Sequence, residues 1–181
     1  MPTPNSSISG ALDELLNTPE PPALTTGPRQ GTLALAALSN QFDALVLAHP
    51  KLHKKEDALR CLVLLWHEHW TRAHEIAQDL HTPDGSLLHA ILHRREPDAW
   101  NSKYWLRSTG AHEAYGAIGD ALSADGRFTN QPWLRSGRFD AVRFVDACDQ
   151  ADNSSSNETD RLLRTAQEIE LRTLARWFAG A

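Results

Sequence analysis

Histidine is the only side chain whose ordinary pKa lies near neutrality, and neutral imidazole is a common ligand for first-row metals. Seven of the nine histidines of this chain (67, 69, 74, 81, 89, 93 and 112) fall between Trp66 and His112. His89 and His93 stand four apart, a spacing that sets two imidazoles side by side on a helix and lets both reach one metal ion. His67 and His74 stand seven apart and would share the face of another helix. Two adjacent antiparallel helices would bring His67 and His74 opposite His89 and His93, with Glu75, Glu96 or Asp98 completing or orienting the shell of a divalent transition metal. The HExxH pattern of zinc proteases and the CxxC pattern are both absent.

A second chemistry is open to the same stretch. The run from His93 to Arg107 carries Arg94, Arg95, Lys103 and Arg107, donors suited to carboxylate or phosphate. Trp70, Trp100, Tyr104 and Trp105 offer flat walls, and Asn101 adds a donor and an acceptor. These residues suit a pocket for a small polar or anionic molecule. If the pocket is catalytic, His67, His74 or His93 would move the proton. Glu170 and Asp146 lie at apolar spacings on late helices and need cationic partners if buried, so they are candidates for the anionic wall of the cluster. The third alternative is structural: packed, hydrogen-bonded histidines and a salt-bridge knot in a non-catalytic interaction module.

Periodicity supplies the elements that must position these side chains. Apolar residues at steps of three and four from Leu59 to Leu80 predict one helix over Glu56–Leu80, stopped by the turn signal His81-Thr-Pro-Asp-Gly85. A second helix follows over Ser86–Arg95, capped by Asp84 or Ser86 and ended by Pro97. A segment holding Lys103–Arg107 starts at a cap from Asp98 or Asn101, and Gly110 closes it. Helices are also expected over Thr32–Leu47 (with Asn40 as a weak point), His112–Ser123 (weakened by two glycines), Phe139–Ala151 and Glu158–Phe178; 125–132 and 152–157 read as loop. Strand-like alternation is absent. The fold class is therefore all-α, an irregular multi-helix bundle with mostly antiparallel neighbours.

Residues 1–31 are punctuated by six prolines and read as an extended or partly disordered arm, with Ala11–Leu16 its only helical stretch, ahead of one helical domain over 32–181. At 181 residues, 41% hydrophobic and 23% charged, the chain can bury a core without staples. Its net charge of -5 argues against a general binder of nucleic acid or anionic membrane. No apolar run approaches a membrane span and the first residues lack a secretory pattern, so the expected compartment is the cytoplasm. Cys61 and Cys148 sit among apolar residues, as buried free thiols would. No nucleophile elbow, P-loop or dinucleotide fingerprint occurs.

The segments Trp66-His-Glu-His69 and Ala73-His-Glu75, then Thr82-Pro-Asp-Gly85, His89 and His93-Arg-Arg-Glu-Pro-Asp98, then Asn101-Ser-Lys-Tyr-Trp105, resemble a family of uncharacterised bacterial and fungal proteins. Its pattern is WHDxxxxxH, then TPxGxxxHxIxHRREPDxxNxKYW. The resemblance covers about residues 66–112. Glu68 stands where the pattern has Asp, and Leu88 where an aromatic is usual. No established activity comes with this resemblance; it implies that the motif residues belong together.

Overall fold

A computed structural model describes residues 7–151 and 158–181. The stretches 1–6 and 152–157, part of the expected arm and an expected polar turn, lie outside the described residues. The chain forms α1 (Ile8–Leu15), α2 (Leu35–Ala48), a short 3-10 helix (Pro50–Lys55), α3 (Glu56–Trp66), α4 (Trp70–Asp79) and α5 (Pro83–Arg95). α6 (Ala99–Thr109), α7 (Ala114–Ser123), a 3-10 turn (Gly126–Phe128), strands β1 (Leu134–Arg135) and β2 (Arg138–Phe139), α8 (Ala141–Asp149) and α9 (Glu158–Ala179) follow. The protein is a multi-helix, all-α bundle with one small hairpin, in which Leu134 pairs with Phe139.

α5 lies at the centre. It packs on α3, α4, α6 and α8, and 11 of its 13 residues are buried. Thr82 caps it by accepting from the Gly85 N–H at 3.2 Å, in place of the expected Asp84 or Ser86. A β-carbon on Gly85 would sit 1.9 Å from the Leu80 carbonyl oxygen, so this close turn admits only glycine. α6 begins at Asp98, whose carboxylate accepts from the Asn101 N–H at 3.1 Å.

The single helix expected over Glu56–Leu80 is two helices. The chain turns at His67–His69, where Glu68 has φ +65°. A helix that stops in the interior leaves carbonyls needing donors. Arg95 donates to the Leu65 carbonyl at 3.0 Å, and Arg29 to that of Trp66. Glu68 then accepts from both guanidiniums, from Arg95 at 2.9 Å and from Arg29 at 3.2 Å. The stripe of apolar residues runs through this break unchanged, which is why periodicity alone misses it. Conversely, α2 passes through Asn40 without interruption.

The described part of the arm is built into the core. Leu12, Leu15, Leu16 and Leu24 are buried. The Ala23 carbonyl accepts from Arg95 Nε and from Gln167 Nε2, both at 2.9 Å. The hairpin, unexpected from the sequence, turns through Ser136 and Gly137, with φ +50° and +75°, which suits a two-residue turn with positive φ at both positions. Gly119 of α7 faces this turn. A β-carbon there would lie 2.1 Å from the Gly137 carbonyl oxygen, so a glycine that weakens the helix is needed for the contact.

Arg94 and Glu170 form the charged lock between α5 and α9. Arg94 Nη1 donates to Glu170 Oε1 at 3.1 Å and Nη2 to Gln167 Oε1 at 3.3 Å, while its guanidinium lies 4.7 Å from the Phe144 ring centroid. Both partners are almost fully buried. Glu170→Ala leaves a buried cation unpaired and is expected to cost about 3–5 kcal/mol, read from urea unfolding. Asp146→Ala removes the partner of half-exposed Lys103 and is expected to cost no more than about 1 kcal/mol.

Candidate metal centre

The turn Leu80–Thr82 folds α4 back onto α5, and this places His74 over His89 and His93. The Nε2 atoms of His74 and His89 are 3.0 Å apart. The rings of His74 and His89 meet edge-on with centroids 4.5 Å apart, and those of His89 and His93 stack at 4.9 Å. Each residue offers one nitrogen such that all three lie within 4.8 Å of one another, the grouping suited to a metal ion among the described residues. His89 and His93 are buried and His74 half-buried.

Neighbours fix two of the rings. Trp105 of α6 stacks on His89 with centroids 4.0 Å apart and planes 16° from parallel. α6 is held against α5 there by the Ser102 hydroxyl, which donates to the Ala90 carbonyl at 2.7 Å. Glu96 Oε2 lies 3.0 Å from His93 Nδ1, so the carboxylate favours the proton on Nδ1 and leaves Nε2 as the acceptor. The Asn101 amide nitrogen is 3.2 Å from that Nε2. The buried Nδ1 of His89 has no hydrogen-bond partner.

Burial pushes the His89 pKa down to about 4, with the charges of His74 and His93 adding to it. Burial also lowers His93, against the pull of Glu96. Burial thus favours the neutral forms of His89 and His93, which carry lone pairs for a cation. Cys61 and Cys148 are free and buried; burial pushes both thiols up to about 12, so neither supplies a thiolate near neutrality.

The remaining expected site residues disperse. His67 faces the arm: its Nδ1 accepts from the Leu33 N–H at 3.1 Å, and its Nε2 therefore donates to the Leu15 carbonyl at 2.9 Å. The break after Trp66 swings it away from His74, contrary to the shared face expected of one continuous helix. Arg94 is committed to Glu170 and Gln167. Arg95 is committed to Leu65, Ala23 and Glu68 and lies 4.6 Å from the Trp70 ring centroid. Burial lowers the Arg95 pKa to about 10, which leaves it charged. Trp70 thus walls a buried arginine and not an open pocket. Lys103 pairs with Asp146 of α8, so Asp146 faces a lysine outside the cluster. Exposed Arg107 lies over the face of Tyr104, 5.6 Å from its centroid. His74, His89, His93, Asn101 and Trp105 converge, with Glu96 behind them; Tyr104 touches the group through Trp105, with centroids 5.6 Å apart.

No family model, curated protein or solved structure matches this chain.

A second polar group, outside the histidines singled out as ligands, joins buried Asp84 to buried His112 and to exposed Lys55. His112 Nε2 lies 2.9 Å from Asp84 Oδ1, and Lys55 holds Oδ2. Asp84 is legible in sequence only as a helix cap; its partner stands 28 residues later.

The depressed pKa of His89 fixes a sign. Its neutral form is favoured by folding, so its contribution is fully present above the unfolded value near 6.5 and is lost as pH falls toward about 4. With chelator present, urea midpoints are expected to drop between pH 7 and pH 4.5 more in the native protein than in His89→Phe, which keeps a ring against Trp105. Equal drops would contradict the neutral, desolvated imidazole.

Proposed function

We propose that the protein holds one divalent first-row transition metal between His74, His89 and His93, with the rest of the coordination sphere left to water. The observation that carries this is the convergence of three imidazole nitrogens within 4.8 Å from two helices. Tetrahedral zinc spaces its nitrogen ligands about 3.3 Å apart. The His74–His89 separation of 3.0 Å needs only a few tenths of an ångström of opening. A cation bound by both nitrogens would replace the hydrogen bond between them.

Three protein ligands with open positions is the layout of a hydrolytic zinc site. A metal held there supplies Lewis acidity and a bound water ionising near neutrality. The chain's own residues do the positioning. Glu96 sets the His93 tautomer, Trp105 holds the His89 plane, and the Asn101 amide stands within reach of a group beside His93 Nε2. A pocket in which arginines grip an anion beside the triad has less support, because Arg94 and Arg95 spend their donors inside the protein.

Untagged protein stripped with chelator and titrated with zinc tests this. One equivalent is expected to bind, and zinc a hundredfold above its Kd is expected to raise Tm by about 5–10 °C. His74→Ala, at a half-buried position, is expected to abolish both effects with the fold retained. His67→Ala is expected to keep zinc binding while losing about 1–3 kcal/mol of stability, since it orphans two backbone groups. Glu96→Gln is expected to weaken binding about 10–100-fold. Binding that survives His74→Ala and His93→Ala would refute the proposal.

A further inference from the structure

A groove of about 780 Å³ lies apart from the three clustered histidines, none of which lines it. That volume is in the range of small-molecule sites. One wall is the 3-10 helix with Lys51, Lys54 and Lys55; the others are the start of α5, the segment before α7, and the end of α9 with Trp177.

Its charges do not cancel. Asp84 is buried and already committed at both oxygens, to His112 and to Lys55. His112 Nδ1 accepts from the Ala114 N–H at 3.2 Å, so its proton sits on Nε2, facing Asp84. Among the described residues, Lys51 and Lys54 have no carboxylate partner, and Glu113 is the remaining acid of the lining. The end of α9 contributes about half a negative charge and the start of α5 about half a positive one. About one positive charge is left over, in a chain whose net charge is -5. Trp177, 36% exposed, adds an open indole to the wall.

We infer that this groove binds a small organic anion: a phosphate or carboxylate, held by Lys51 and Lys54, on a flat apolar body lying against Trp177. Lys55 is the positioning residue, because Asp84 fixes it and, through His112, ties the 3-10 helix to the segment before α7.

Phenyl phosphate, inorganic phosphate and phenol serve as probes, read by tryptophan fluorescence and by amide shifts of Lys51, Lys54 and Trp177. Phenyl phosphate is expected to bind more tightly than either of the others. Lys51→Ala/Lys54→Ala, both exposed positions, is expected to weaken phenyl phosphate and phosphate at least about tenfold, one charge-assisted contact or more. Trp177→Ala is expected to weaken phenyl phosphate alone. Zinc binding at the triad is expected to be unchanged in all these variants, so the two sites succeed or fail separately. Equal affinity for phenol and phenyl phosphate, or undiminished binding in the double lysine variant, would overturn the inference; so would the absence of saturable binding by any probe.

Discussion

The constraint on which the structure depends is the burial of a polar helix. α5 carries an aspartate, two histidines and two arginines among its buried residues, yet it runs through the middle of the bundle. A charge removed from water without a partner destabilises by several kcal/mol, so each of these groups dictates something elsewhere. Arg94 requires a carboxylate on α9 and finds Glu170. Arg95 requires acceptors on the other side and finds the Leu65 and Ala23 carbonyls and Glu68. Asp84 draws in Lys55 and His112. His89 is the exception, because its neighbours are other imidazoles and an indole.

The break between α3 and α4 follows from that constraint and in turn creates the histidine cluster. Arg95 and Arg29 supply donors to carbonyls that a continuous helix would have used itself, and the positive φ of Glu68 brings its carboxylate to both. Once the chain turns there, His67 is left on the arm side, where it joins Leu15 to Leu33. α4 starts afresh and carries His74 across α5. One corner thus separates a structural histidine from three whose nitrogens meet.

Much of the local architecture was legible. The caps and stops at Asp98, Pro97 and Gly110, the pairing of His89 with His93, the approach of His74 and the need of Glu170 for a cation all follow from spacing and burial. The hidden features depend on partners far along the chain. Glu68 meets Arg29 across 39 residues and Arg95 across 27. Arg94 and Arg95 are adjacent, yet helical geometry sends them to opposite sides, one to a residue 76 positions later and the other back toward α3. A sequence pattern records that such residues occur together. It does not say which of them face a cavity and which fill the interior. The motif from Trp66 to Trp105 mixes both kinds, and for that reason Arg94, Arg95 and Trp70 look like ligand residues until their partners are known.

The central claim is that three imidazoles from two helices share one cation. Anomalous diffraction at the zinc edge, from crystals of untagged protein equilibrated with one equivalent of zinc, addresses it directly. A single strong peak about 2.0–2.1 Å from one nitrogen each of His74, His89 and His93 is the predicted result. Zinc found only at exposed surface histidines, with His74 and His89 still hydrogen-bonded to each other, would contradict it.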